Sequence, residues 1–416
     1  MKERSTDTCN LEAGPAAAVA GLSLESFDYD LPEDLIAKYP LERRDESRLL
    51  VARRSGGEII DSVFNRIGES LPADAFIVLN STKVIAARIP ALKPTGGRAE
   101  ILCVAPVEPS RDPQVAMKAR VAARWECILG GRAIREGMTL IAEANADFKA
   151  TVIIKRDAES VIEFHWDEGR TFAEELESLG KIPLPPYIKR EVEESDKERY
   201  QTVYARLEGS VAAPTAGLHF TKELIEKLER EGHSFGEVAL HVGPGTFQPV
   251  GEGGIAKHAM HCEQFFVRLD FLKELRDSIS QGKPVIAAGT TSVRTLESLP
   301  LLAENILSFG EAKPVEQWQA YAEGERLGAV SALGILIDYC ERNSIDSLEA
   351  ETSLLILPGF KFKMISGMIT NFHLPKSTLL LLVSAFLGGE RWRELYAHAI
   401  EARYRFLSFG DASALL

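Results

Sequence analysis

Cysteine is scarce in this chain of 416 residues: the five (Cys9, Cys103, Cys127, Cys262, Cys340) are scattered and form no CxxC pair. That spacing excludes a disulfide scaffold and a cysteine-built zinc cage, and it fits a reducing cytosol. Long hydrophobic runs are also missing. The longest, Leu379 to Val383 with Ala385 to Leu387 beyond it, falls far short of the roughly 20 residues that a membrane span requires. Positive charge is in deficit, with a net charge of −13, so any contact with nucleic acid must rely on local basic patches. Arg43-Arg44 with Arg48, Lys189-Arg190, and Lys361 with Lys363 are the clusters available. Several catalytic signatures are absent as well. No G-x-S-x-G elbow supports a serine hydrolase, no HExxH supports a zinc protease, and Gly243-Pro244-Gly245 lacks the third glycine and the following helix of a dinucleotide loop.

What is present begins with an Ala-rich stretch carrying Asp7 and Glu12, which reads as a disordered tail over residues 1–24 rather than a signal peptide. Leu49–Arg53 and Ala75–Asn80 follow as expected strands, the second a continuous apolar run. Between residues 86 and 170 five strand candidates punctuated by turn residues suggest a small inserted β-barrel or sandwich: Ala99–Val107, Gln114–Cys127, Thr139–Ala142, Lys149–Lys155 and Ser160–Trp166. Residues 25–85 and 171–416 then form one discontinuous α/β domain, with helices expected over Thr171–Leu179, Asp196–Arg206 and Lys222–Glu231. Strands are expected at Val238–Val242, Gln264–Val267, Val285–Ala288 and Leu354–Leu357. Residues 300–352 read as a loop with one helix, Val330–Tyr339, and no chemistry.

Four loops carry the functional signal, each mixing small residues with polar groups at the end of a strand: 213–220, 240–247, 288–295 and 369–378. Glycine and proline let the backbone turn sharply and approach a ligand, while Thr, Ser, Asn and His supply donors and acceptors. Together they read as the wall of one small-molecule site. Gly289-Thr290-Thr291-Ser292 follows a strand and opens a helix, which aims free backbone N–H groups at a carboxylate or phosphate. Arg294 and Glu297 lie three apart on that helix, the spacing of an i,i+3 ion pair. Ser377 is the expected N-cap of an apolar helix over Thr378–Leu387, with Lys376 placed to meet an anion. His258, His261, Cys262 and Glu263 have metal-like spacing, but no second cluster completes a ligand set, so no metal is expected.

These loops, together with Phe27-Asp28-Tyr29-Asp30-Leu31-Pro32, Leu79-Asn80-Ser81-Thr82, Pro183 to Arg190, Tyr200 to Ala205 and Arg405 to Asp411, resemble the S-adenosylmethionine:tRNA ribosyltransferase-isomerase family of queuosine biosynthesis. The resemblance implies an α/β fold whose mixed sheet forms a partial barrel with flanking helices, plus an inserted small β-domain. It also implies a reaction: the ribose of S-adenosylmethionine is moved to 7-aminomethyl-7-deazaguanine at the tRNA wobble position and rearranged, giving epoxyqueuosine and releasing adenine and methionine. S-adenosylmethionine is then a co-substrate with no permanently bound cofactor, the partner is a tRNA anticodon loop, and a cytoplasmic monomer is expected. Ser81 and Lys83 depart from the Asp and Arg of the family pattern, and residues 300–352 are longer than in common members.

A base must remove a C5′ hydrogen acidified by the sulfonium, and the implied candidates are His219, His241, His261, Glu263 and His373, which the sequence does not rank. Candidate binding residues are Thr215, Gly217, Gly243, Gly245, Thr246, Gly289, Thr290, Thr291, Ser292, Arg294, Asn371, Lys376 and Ser377. The methionine carboxylate would sit on the Gly289 turn with Arg294, or on Lys376 with the Ser377 helix start. Rival readings are a methyltransferase-type RNA-modifying enzyme and an inactive tRNA-binding module.

Overall fold

The computed structural model describes residues 19, 21–156, 159–243 and 253–416. Most of the expected N-terminal tail, and Gly245 and Thr246 in the second loop, lie outside the described residues.

Strands β1 (Arg48–Ala52), β2 (Ile60–Val63) and β3 (Phe76–Asn80) precede a short β4 (Thr82–Val84). Next come β5 (Arg88–Leu92), β6 (Arg98–Glu108), β7 (Ala122–Gly130), β8 (Thr139–Ala142), β9 (Asn145–Ile154) and β10 (Ser160–His165). After β11 (Leu207–Ser210), which pairs with β4, the chain adds β12 (Ser234–Leu240), β13 (Glu263–Arg268), β14 (Val285–Ala288), β15 (Ser347–Thr352), β16 (Gly367–Asn371) and β17 (Ala412–Leu415). Nine of these form one mixed sheet in the order β15-β13-β12-β3-β14-β16-β17-β1-β2. Strands β5 to β10 close into a separate antiparallel barrel.

The centre of the large sheet, β12-β3-β14-β16, is parallel throughout. Strands buried on both faces need apolar residues at every position, which the run Phe76-Ile77-Val78-Leu79 supplies with every side chain at most 3 % exposed. Parallel strands share an edge for their C-terminal ends, so Asn80, Leu240, Ala288 and Asn371 all finish on the same side. That edge holds the site.

Helices α1 (Phe172–Leu179), α2 (Lys222–Arg230), α3 (Leu269–Ser280), α4 (Thr290–Phe309), α5 (Ala329–Arg342), α6 (Thr378–Leu387) and α7 (Arg391–Glu401) flank the sheet and barrel. Their starts are chemically marked. The Thr171 hydroxyl accepts from the Glu174 N–H while the Glu174 carboxylate accepts from the Thr171 N–H, and Thr221 and Ser377 accept from Leu224 and Leu380 at 3.1 and 3.2 Å. In the barrel, inward residues alternate with outward ones along β7, and Trp125, Phe148, Phe164 and Phe172 fill the interior, with the Trp125 and Phe172 rings 5.3 Å apart. The barrel interior is therefore a packed core.

The structure corrects several sequence expectations. Gln114 belongs to a single helical turn, Pro113–Ala116, because Asp112 caps it and Pro113 occupies its first position. A sixth barrel strand, β5, accommodates Pro90. Only Asp196–Arg199 of the expected 196–206 helix forms: the Gln201 side chain bonds both the N–H and the carbonyl of Val84, and the chain then turns, with the Ala205 N–H donating to the Thr202 carbonyl. Leu354–Leu357 is buried but lies in no strand; its polar groups are met by Arg294 and the Tyr321 hydroxyl. The strand is β15, just upstream. Finally, α4 continues through Pro300 to Phe309, so residues 300–352 contain the end of one helix, all of α5 and a sheet strand.

Candidate active site

Asn80, fully buried at the end of β3, ties the parallel strand ends together. Its amide nitrogen donates to the Leu240 carbonyl at 3.0 Å and to the Thr291 hydroxyl at 3.4 Å, and its oxygen accepts from the N–H groups of Leu240 and Thr82, both at 3.2 Å. Beside it, Gly289 links β14 to α4 at φ +93°, a conformation L side chains avoid. Its N–H donates to Ile369 of β16 at 2.8 Å. The first-turn amides of α4 thus face the edge without intrahelical acceptors, and the helix dipole makes that end electropositive.

A cleft of about 710 Å³ opens there. Thr215, Gly289, Thr290, Thr291, Asn371, His373 and Ser377 line it, with Tyr187 and Ser408, bonded to each other at 2.6 Å, contributing further polar groups and Leu374, Leu379 and Leu407 the apolar surface. Asn371 is held by a chain of hydrogen bonds reaching into the core. The Thr215 hydroxyl donates to the Asn371 oxygen at 2.8 Å, the Asn371 amide nitrogen donates to His219 Nε2 at 3.2 Å, and His219 Nδ1 meets the Ser47 hydroxyl at 2.8 Å. Since Nε2 accepts, the His219 proton sits on Nδ1. Burial, reinforced by the nearby Arg405, pushes the pKa of His219 down to about 3. Burial alone does the same to His373, which bonds the Thr370 hydroxyl at 2.9 Å. Both rings are neutral at physiological pH and weak as proton acceptors, so their first role is hydrogen bonding.

Two further clefts adjoin. The second, about 460 Å³, meets the first at Leu379 and is lined by His258, Met260, His261, Glu263, Arg294 and apolar residues of 354–356 and α6. Within it Arg294 and Glu263 form a buried ion pair, the Arg294 Nε donates to the Leu354 carbonyl at 3.1 Å, and Glu263 accepts from the Gly243 N–H at 3.3 Å. A third, about 990 Å³, lies between barrel and sheet and shares His261 and Glu263 while adding His241, Gly243 and Arg111. Burial pushes His241 down to about 4. Among the described residues no group of three or more His, Cys, Asp or Glu is arranged to hold a metal ion, and no helix is long and apolar enough to cross a membrane.

All four sequence-marked loops reach the first cleft, the second through Val242, but the polar side chains they carry divide between clefts. Thr291 and His373 line the first cleft, His219 stands one residue behind it, and His241 faces the third. Three expected binding residues line none of the three clefts. Gly217 is a packing glycine, where a Cβ would come within 2.0 Å of the Tyr204 hydroxyl. Ser292 bonds back to the Ala288 carbonyl at 2.8 Å. Lys376 is paired with Asp28 at 2.6 Å. Arg294 pairs with Glu263 rather than Glu297, whose carboxylate accepts from the N–H groups of Lys363, Met364 and Ile365. Lys83, at the departure from the family pattern, pairs with Glu208 at 2.9 Å. The sequence reading passed over Asn80, Tyr187 and Ser408 as site residues, although the abrupt polar end of the β3 run marked Asn80.

A family model described as queuosine biosynthesis protein matches residues 24–415. The S-adenosylmethionine:tRNA ribosyltransferase-isomerase of Carboxydothermus hydrogenoformans is 40% identical over 396 residues, spanning 95% of this chain and 100% of its own. Its namesake from Thermotoga maritima is 40% identical over 397 residues with the same coverage. A solved structure of S-adenosylmethionine tRNA ribosyltransferase from Thermotoga maritima aligns with 94% of this chain and 99% of its own, at 30% identity and a TM-score of 0.46.

Proposed function

The chain belongs to the queuosine biosynthesis protein family, and on that premise we propose that it moves the ribose of S-adenosylmethionine onto 7-aminomethyl-7-deazaguanine at the wobble position of tRNA. The ribose is isomerised to an epoxycyclopentanediol, and adenine and methionine are released. The observation that carries this reading is the meeting of all four sequence-marked loops, the second through Val242, on one cleft at the C-terminal edge of the parallel strands, where open α/β sheets bind ligands.

In this reading the first cleft holds the nucleoside. Thr215, Thr290, Thr291 and Asn371 offer hydroxyl and amide groups suited to ribose hydroxyls and adenine nitrogens, and neutral His373 adds a ring nitrogen. The Ser47–His219–Asn371–Thr215 chain fixes these groups before substrate arrives, so little order must be gained on binding. Of the five base candidates, His219 is buried behind the wall and acts as a positioning residue, while His373 lines this cleft and offers its neutral ring for hydrogen bonding to the substrate. The base to be modified is drawn from a single-stranded anticodon loop, where unstacking costs little. The enzyme acts as a cytoplasmic monomer on this loop.

The test is to incubate the protein with labelled S-adenosylmethionine and tRNA carrying the precursor base, and to analyse tRNA nucleosides by mass spectrometry. Epoxyqueuosine, with adenine and methionine released only when that tRNA is present, is expected. Release of S-adenosylhomocysteine would identify a methyltransferase instead, and tRNA binding without turnover a non-catalytic module.

A further inference from the structure

We infer that the second cleft is a clamp for an α-amino acid: Arg294 takes the carboxylate, Glu263 faces the ammonium, and the apolar wall takes a thioether side chain. The inference rests on the ribosyltransferase-isomerase reading for the identity of its natural ligand, the methionine end of S-adenosylmethionine, but its geometry is independent of that reading.

Arg294 is 6 % exposed and Glu263 4 %. Two of the three guanidinium nitrogens are committed, Nη1 to Glu263 and Nε to the Leu354 carbonyl. The third, Nη2, is buried with no hydrogen-bond partner among the described residues. A charged donor without an acceptor in a largely dry wall is costly, and this one belongs to a residue lining an open cleft. A carboxylate is the acceptor that best matches it, through a charge-assisted hydrogen bond. Opposite charge is already in place beside it, because Glu263 lines the same cleft. An α-amino acid presents both signs one carbon apart, which suits an Arg–Glu pair better than a simple anion or a simple cation would.

The rest of the cleft narrows the class. Met260, Leu355, Ile356, Leu379 and Leu382 give it an apolar wall, suited to an unbranched, polarisable thioether rather than a second charged group. Leu379 belongs to both this cleft and the first one. A ligand with a nucleoside at one end and an amino acid at the other would thus span the two, its sulfonium near their junction. This choice also separates the two anion sites the sequence left open, since the Lys376 ammonium is engaged by Asp28 and lines neither cleft.

The experiment is saturation-transfer NMR on the full chain, with and without a tRNA transcript, using L-methionine, 3-(methylthio)propylamine, which lacks the carboxylate, and 4-(methylthio)butanoate, which lacks the ammonium. Methionine should bind, and each analogue should bind about tenfold or more weakly, the loss expected for a missing charged hydrogen bond. Arg294→Lys, checked by thermal melting for retained fold, should abolish the discrimination against the amine while Glu263→Gln reduces that against the acid. Equal binding of all three compounds to the unaltered protein, or no methionine binding even with tRNA present, overturns the clamp. Methionine discrimination in a protein that releases no adenine would leave the clamp standing and count against the proposed reaction; adenine release without discrimination would do the reverse.

Discussion

At the scale of the residue, burial keeps two histidines, one in the wall of the first cleft and one behind it, uncharged. His219 and His373 are both held near a pKa of about 3, against an ordinary value of 6.5. Between those values the unfolded chain binds protons that the folded chain refuses, so stability is complete above about pH 6.5 and drains away as the pH falls toward 3. His219→Gln keeps an acceptor for the Asn371 amide but removes one titrating group. The pH dependence of urea-unfolding free energy between pH 6 and 4 should then become shallower by up to about 1.4 kcal/mol per pH unit. An unchanged slope would mean that His219 is already protonated in the native protein.

At the scale of the element, what the sequence revealed follows from how local the cause was. Thr171, Thr221 and Ser377 mark helix starts because the cap bond spans three residues, and the α6 boundaries emerge as expected at Thr378–Leu387. The β3 run is legible because a strand buried on both faces is apolar at every position. By contrast, Leu354–Leu357 has the composition of a buried strand while its partners are the side chains of Arg294 and Tyr321, donors from distant segments that no window reveals. The true strand β15 alternates buried Leu348, Ala350 and Thr352 with outward Ser347, Glu349 and Glu351, a weaker signal in a charged stretch. The site shows the same division: the loops that line it are visible in sequence, whereas the separation of Arg294 and Glu263 into a cleft of their own depends on how β13 and α4 pack.

Glu297 couples two of these elements. From the middle of α4 its carboxylate receives the N–H groups of Lys363, Met364 and Ile365 at 2.9, 2.9 and 3.1 Å, just before β16. Burial outweighs those bonds and pushes its pKa up to about 7. Glu297→Ala strands three donors, two of them buried, and should lower the unfolding free energy by about 2–4 kcal/mol. Glu297→Gln keeps one acceptor oxygen and should cost less than half as much. Urea denaturation of the two variants side by side checks the order, and equal losses would show that packing rather than hydrogen bonding fixes this joint.

At the scale of the whole molecule, a chain of net charge −13 must meet a polyanion. Attraction can come only from local basic groups, while the remaining surface repels, so tRNA affinity should be steeply salt-dependent. Fluorescence anisotropy with labelled tRNA at about 50 and 200 mM KCl should show at least a tenfold loss of affinity. A flat response would mean that base stacking and hydrogen bonding, rather than phosphate contacts, hold the RNA.

The β17 strand lies between β16 and β1, aligning Ala412 with Asn371 on one side and with Leu49 on the other. Arg48 donates its N–H to Asp411 across 363 residues of chain. Through β17 the β1–β2 pair is joined to the six strands β15-β13-β12-β3-β14-β16. Pairing of residues 412–415 is thus the bolt of the large sheet, and the same four residues back the strand end that presents Asn371 to the cleft.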